Sequence, residues 1–429
     1  MRRGDRGTPR RNVPQLSPLP SARRGTAFPG VPAPPGTDPG PPAPSPPQQV
    51  APHDGTAEPS GPPPETPAGP GEAGLTQDAL VRALAEGGRV DLGGREVVLD
   101  RFGGTYQPIP PKERTAALMA RKDVEIVRGT LRCEGPTFAL VAKGGCTVVL
   151  RDVWVVGGGV GCSGRGSVLE VHGGSVARCR EHSGAVCSEG GTMRLHGVEV
   201  REPQVAGVLS TGEGSSVTMV GGSITGAATS HGAACQGGAE LVLRGVAVAA
   251  SRRVGIAATG SRSRCVVEEC SVSGSQRSHG IACQNGASLE MRDTAVADCR
   301  VAGVLVNGRG SRVAVRGGSV AGSLESHGVA CQDGAEVELS GVCVEGCRGA
   351  GVFAHGQGSK VTVTGGTVRG CVCNDILSRA GAEAHVSGVD IGSPRVSSQG
   401  PSRSSSLTKP NGCSGSNGRE APSRVVSNG

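Results

Sequence analysis

The chain has 429 residues, with 73 Gly, 30 Pro and 16 Cys, and a formal net charge of +7. Residues 1–24 carry +6, residues 395–424 carry +4 and residues 25–74 carry −5, which leaves +2 for the rest. That distribution excludes a folded nucleic-acid-binding face, which needs a concentrated basic field, and no apolar run approaches the roughly 18 residues of a membrane span.

Residues 1–74 hold most of the prolines, in runs such as Pro62-Pro63-Pro64, and almost nothing large and apolar. Such a composition cannot offset the entropy of ordering a backbone, so residues 1–74 are expected to be a disordered Pro-rich tail. The start, Met1-Arg2-Arg3-Gly4-Asp5, lacks the apolar core of a secretory signal. Sixteen cysteines without such a signal, and without a CxxC pair, predict reduced thiols in a cytoplasmic or nuclear setting. An organellar transit peptide stays open as an alternative.

A folded domain is expected over residues 75–392, of which 75–128 form an N-terminal cap and lead-in strands. Thr76 through Glu86 reads as a helix, with Thr76 as N-cap, Asp78 in the first turn and Gly87-Gly88 ending it. Leu80 and Leu84 share the face that would cover the first coil. Arg89-Val90-Asp91-Leu92 and Val97-Val98-Leu99 follow as strands, and Val124-Glu125-Ile126-Val127 begins regular repetition.

From there the chain repeats. Ser-His-Gly recurs at Ser230-His231-Gly232, Ser278-His279-Gly280 and Ser326-His327-Gly328, each followed by Ala-Cys-Gln. A second series, Gly207-Val208, Gly255-Ile256, Gly303-Val304 and Gly351-Val352, interleaves with it, so that glycine steps of 23 and 25 alternate. Within a unit of about 24 residues the apolar positions have period two, as at Val304, Val306, Val313 and Val315, which argues for strands. Three short strands cannot bury their inner face alone, whereas stacked coils can. At the far end Asn374-Asp375-Ile376 replaces Ser-His-Gly and reads as a degenerate terminal coil, and residues 393–429 read as a disordered Ser/Gly-rich tail.

This pattern, with Gly-Ile or Gly-Val opening each coil from about Leu75 to Ile391, resembles the right-handed parallel β-helix repeat of the pectate-lyase-like superfamily. The resemblance implies an all-β solenoid of about ten coils from Gly129 to Ile391. That fold hosts lyases, hydrolases, epimerases and proteins without catalysis.

Strand parity places Cys187, Cys235, Cys283 and Cys331 inward as small hydrophobes, with column neighbours two coils apart and out of reach of a disulfide or a shared metal. His231, His279 and His327 are expected to fill the turn before the first strand, pointing partly inward and bonded to neighbouring backbone. The outer face of the first strand carries the candidate binding row, Thr211, Gln236, Thr259, Gln284, Asn307, Gln332 and His355, together with Leu209, Ala234, Ala257, Ala282, Leu305, Ala330 and Phe353. Sugar chemistry requires positioned carboxylates, or a base beside a cation, and the row offers no such pair. No catalytic residue, metal site or cofactor is therefore expected. On the second strand, Glu240 with Arg264 and Glu268 with Arg292 are spaced as cross-strand ion pairs. Gly159 through Gly164 matches GxGxxG but opens no helix, and reads as a repeat turn.

These observations predict a scaffold without enzymatic activity, a monomer presenting its polar row to a protein or glycan partner, with no specific nucleic acid among its partners. The alternative is a lyase, hydrolase or epimerase acting on polysaccharide, with Arg151, Asp152 and His172 as candidates near the less regular N-terminal coils.

Overall fold

The computed structural model describes residues 75–109, 112–392 and 424–428, without the side chains of 106–114 and 424–428. Both proposed tails fall almost wholly outside these residues. The expected helix forms over Gln77–Glu86, with the Thr76 hydroxyl accepting from the Ala79 N–H at 3.3 Å and Gly87 ending it. Leu80 and Leu84 are buried, and the amide of Gln77 clasps the chain at Arg101 from both sides: its Nε2 donates to the Arg101 carbonyl and its Oε1 accepts from the Arg101 N–H. Gly88–Asp91 and Glu96–Leu99 then pair in parallel with Val124–Cys133. Between them, Gly104–Ile109 and Lys112–Ala120 form an antiparallel hairpin that no repeat signal announces.

From Gly159 onward every coil has three strands, for example Val304–Asn307, Arg312–Arg316 and Ser319–Ala321. First strands build a 13-stranded sheet, in which all but the opening Gly104–Ile109 run parallel. That makes twelve coils where the repeats suggested ten. Eleven of these first strands begin after Gly129 and one, Lys112–Ala120, lies before it, in a stretch that carries neither Ser-His-Gly nor the two-coil glycine spacing. Second and third strands build two further ladders, which join into one sheet because Val124–Cys133 and Thr147–Val156 run straight through the corner between them. Inward residues interlock as one continuous apolar column, including Val313, Val315, Leu339 and the thiols of Cys235, Cys283 and Cys331.

Second strands keep one constant step, with Glu240 paired to Arg264 and Arg264 to Ser288. First strands alternate a longer step, from Val208 to Ala233, with a shorter one, from Ala233 to Ile256. The difference lies in the turns. Residues 226–232, 274–280 and 322–328 precede one coil type, and the shorter 250–255, 298–303 and 346–351 precede the other. What one turn gains the next turn loses, since 237–239 is a residue shorter than 260–263. Glycine opens the first strand because the third strand of the same coil closes on it: a Cβ on Gly303 would lie 2.3 Å from Val320 Cγ1, and 2.8 Å from the Gly328 carbonyl oxygen of the next coil. At Gly318 both constraints meet, a φ of +75° and a Cβ position 2.3 Å from the Thr294 carbonyl oxygen.

The last coil, Ile376–Arg379, Glu383–Ser387 and Asp390–Ile391, falls out of step with the others. Its second strand arrives a residue early, since Glu383 rather than Ala384 stands opposite Lys360. Arg424–Asn428, assigned from composition to an unfolded tail, instead forms a strand in parallel register on Glu383–Ser387. Its Val425-Val426 pair supplies β-branched residues that a Ser/Gly average conceals.

Candidate functional site

The seven candidate residues fall into one unbroken column. Thr211 pairs with Gln236, Gln236 with Thr259, Thr259 with Gln284, Gln284 with Asn307, Asn307 with Gln332, and Gln332 with His355. The column continues to Arg379 and runs back through Ser188 and Ser163 to Lys143. Successive residues stand about 4.8 Å apart, the spacing of hydrogen-bonded strands. Gln236 Nε2 donates to Thr211 Oγ1 at 3.3 Å, so neighbours within the ladder also touch.

A set of serines that the sequence reading missed holds this column in place. Ser215, Ser263, Ser311 and Ser359 recur at the two-coil interval, in the longer of the two turn types that follow the first strand. Each hydroxyl donates to the carbonyl of a ladder residue, at Thr211, Thr259, Asn307 and His355, over 2.7–2.8 Å. Each also accepts a backbone N–H from the preceding coil, at Gly190, Gly238, Gly286 and Gly334. The signal was present as a serine period matching that of Ser-His-Gly. It means little until the fold shows that these hydroxyls are buried between coils.

The neighbouring column was expected to lie open. Instead Leu209, Ala234, Ala257, Ala282, Leu305 and Ala330 are buried, and part of this column packs with Phe138, Val141, Val186 and Val254 as a second apolar cluster outside the main core. The turns before the first strand fold over it. His327 stacks on Phe353 with ring centroids 4.2 Å apart, and His182 stacks on Phe138 at 4.8 Å. The expectation that these imidazoles point inward is therefore corrected at His327, whose ring lies on Phe353 of the outer face. The backbone bond expected of them is present at His327, whose Nδ1 accepts from the Ala350 N–H at 2.9 Å. The Nδ1 atoms of His231 and His279 are buried without a hydrogen-bond partner. Burial pushes all three down to about 4, helped by Arg253 at His231 and Arg379 at His327, so they are neutral at pH 7.

The C-terminal end of the ladder is chemically richer than the rest. His355 and Phe353 project from the same strand, with rings 5.8 Å apart, and Arg379 follows His355 in register. Asn307 Nδ2 donates to Asp333 Oδ2 at 2.8 Å, and the Asp333 N–H donates to the His355 carbonyl. A base, a cation, an acid and an aromatic ring thus lie on three successive coils. The N-terminal candidates do not join them. Arg151 and His172 pair in register on the other sheet, where Arg151 is tied to Glu125 at 2.7 Å, and Asp152 stands exposed beside Arg151 at a φ of +50°. The charge pattern on that sheet also differs from expectation. Glu268 does bridge to Arg292 at 3.3 Å, and to Arg244 at 2.7 Å, but Arg264 turns from Glu240 to Glu290 at 3.0 Å.

Among the described residues no group of three or more His, Cys, Asp or Glu could hold a metal ion, and no helix is long and apolar enough to cross a membrane.

The family model described as right handed beta helix region matches residues 158–320 and again 206–368. The second match is the first moved on by one two-coil repeat at both ends. No curated protein sequence matches. Similar solved structures include the periplasmic alginate epimerase AlgG, at 12% identity and a TM-score of 0.44 over 71% of this chain and 83% of that one. The A-module of the Azotobacter vinelandii mannuronan C-5 epimerase AlgE4 aligns at 13% and 0.43 over 74% and 91%. The receptor binding domain of the Siphovirus 9NA tailspike aligns at 9% and 0.36 over 77% and 76%. At such identities the likeness is one of fold.

Two expectations are corrected here. The expectation of a protein without enzymatic activity is withdrawn: the fold is shared with epimerases and gives no ground for it. The turn after Gln332 adds an acid to this region, Asp333, whose carboxylate accepts from Asn307 and whose N–H donates to the His355 carbonyl. The cytoplasmic or nuclear setting is withdrawn as well: the same fold occurs in a periplasmic protein, so the fold gives no support to it. The thiol count misled because most of the cysteines are buried in the core as small hydrophobes, shielded from whatever redox buffer surrounds the fold.

Proposed function

Since the chain is a right-handed parallel β-helix repeat protein, pectate-lyase-like in its coils, we propose that it holds an extended glycan along the polar ladder and acts on acidic sugar residues at the ladder's C-terminal end. The observation that carries this reading is the register itself. Seven polar side chains repeat at a strand spacing comparable to the rise of an extended sugar polymer, and lead into His355, Arg379 and Phe353.

The chemistry follows from the residue types. Arg379 offers a fixed fork for a uronate carboxylate and neutralises the charge that builds there when the adjacent carbon loses its proton. His355, exposed beside it, accepts that proton. Return of a proton to the opposite face epimerises the sugar, and departure of the neighbouring glycosidic oxygen cleaves the chain. Hydrolysis calls for two cooperating carboxylates, and the Asp333 carboxylate of this cluster is engaged by Asn307. Phe353 supplies an apolar platform for a sugar face.

The test is incubation in deuterated water with uronate polymers and with neutral glycans, each with and without calcium. Solvent deuterium at the carbon next to the carboxylate, or unsaturated chain ends, is expected with uronates alone, and is expected to disappear in His355→Ala and Arg379→Ala. Neither signal with any uronate, or a signal undiminished in both variants, would refute the proposal.

A further inference from the structure

Cys347 and Cys371 stand one coil apart, at the same position of the turn between third and first strands. The register that pairs Glu345 with Arg369 continues through them, and the Val372 N–H donates to the Cys347 carbonyl at 3.0 Å. In-register neighbours on parallel strands are about 4.8 Å apart, inside the roughly 4.4–6.8 Å Cα window of a disulfide. Both thiols aim the same way: Cys347 Sγ lies 2.9 Å from where a Cβ of Gly328 would sit, and Cys371 Sγ 3.1 Å from that of Gly351. The two side chains are in hydrogen-bonding contact. Earlier in this column Cys299 is flanked one coil away by Ser275 and Ser323, so it has no partner of this kind.

Access separates this pair from a second one. Cys162 and Cys187 are also paired in register one coil apart, but both are wholly buried in the core. Cys347 is buried, whereas Cys371 is partly exposed near the C-terminal end of the solenoid.

We propose that Cys347 and Cys371 are an oxidisable pair whose disulfide staples the last two coils. The Cys371 thiolate attacks one sulfur of a small disulfide such as oxidised glutathione. That S–S bond breaks, and one glutathione leaves as a thiolate and takes up a proton. The Cys347 thiolate then attacks the Cys371 sulfur and expels the second glutathione. The protein gives up two electrons and two protons, and the glutathione disulfide is reduced to two thiols. Contact between the two thiols draws Cys347 below the ordinary thiol range and raises Cys371, so exposure rather than acidity makes Cys371 the sulfur that meets the reagent, and Cys347 gives up its proton as it attacks. The staple closes the turn whose Ala350 N–H holds His327, beside Phe353. It does not depend on the glycan reading.

The experiment uses the full chain carrying Cys373→Ser and Cys413→Ser, incubated with oxidised glutathione, then alkylated in denaturant and digested with trypsin. A loss of two thiols per chain is expected, with peptide 317–348 joined to 370–379 and fragment ions placing the bond at Cys347 and Cys371. Cys162 and Cys187 should remain alkylatable, and the melting temperature should rise. Adding Cys347→Ser should arrest the reaction at a glutathione adduct on Cys371. The proposal is overturned if no thiol is consumed, if Cys371 retains glutathione while Cys347 stays free, or if the bond maps to another cysteine.

Discussion

At the scale of single residues, the buried histidines have a thermodynamic consequence. An imidazole in the unfolded chain binds its proton near pH 6.5, while His231, His279 and His327 in the fold do so only near 4. Their folded pKa is depressed, so the stability tied to them is complete above about pH 6.5 and drains away as the pH falls toward 4, where the unfolded state takes up protons first. Each is expected to account for roughly 1–3 kcal/mol of that acid loss. Urea unfolding at pH 7.5 and 4.5 checks it: a triple His→Gln variant should show a flatter pH dependence than the parent, and parallel losses would mean the imidazoles are charged in the fold. Inward positions tell a simpler story. Leu339 is 1% exposed, and Leu339→Asp should cost several kcal/mol because it buries an unpaired charge. An unchanged denaturant midpoint would reverse the inside and outside of that strand. Parity alone put Leu339 and the cysteines Cys235, Cys283 and Cys331 in the core. Parity says nothing about a residue in a turn, which is why the direction of the histidines had to come from the fold.

At the scale of the coil, two alternating turn lengths produce two kinds of rung, one ending in Gln and the other in Thr, Asn or His clamped by a serine. Ser311 is wholly buried between the Asn307 carbonyl and the Gly286 N–H. Ser311→Ala leaves both without that partner, and a loss of about 1–3 kcal/mol is expected, together with faster amide exchange at Gly286. Protection at Gly286 equal to the parent's would show that the clamp is dispensable. Glycan binding along the ladder should be graded. Gln284→Ala alone is expected to weaken binding of a uronate polymer less than threefold, while Gln236, Gln284 and Gln332 changed together should weaken it more than tenfold, because weak repeated contacts add along one multivalent ligand. Isothermal titration with polymers of defined length distinguishes this from a single dominant site, for which one of the three changes would account for the whole loss.

At the scale of the whole solenoid, ends matter more than middles, because every interior strand is paired on both sides and every terminal strand has one bare edge. At the start, the helix Gln77–Glu86 buries Leu80 and Leu84 against the opening strands. A chain shortened to begin at Gly88 is expected to self-associate through the uncovered end, with a light-scattering mass that rises with concentration. A monodisperse mass independent of concentration would show that the helix is not the cap. At the other end Arg424–Asn428 pairs along Glu383–Ser387 and gives that second strand an outer partner.

What the sequence determined by itself is the coil: its strands, its inward residues, its glycine joints and the single column from Thr211 to His355. Those follow from signals local to each repeat, period-two alternation and a recurring glycine step, and a stack in which each unit meets only its neighbours copies local order into global order. The tertiary structure alone decided the number of coils, the burial of Leu209 and the alanines beside it, the serine clamps, the turn of Arg264 toward Glu290, and the bond from Asn307 to Asp333. Each of these depends on where a side chain goes after leaving the backbone, among neighbours a full coil away in sequence and one strand spacing away in space. Periodicity places the backbone of such neighbours side by side, but rotamers, turn lengths and competing partners choose which of them touch.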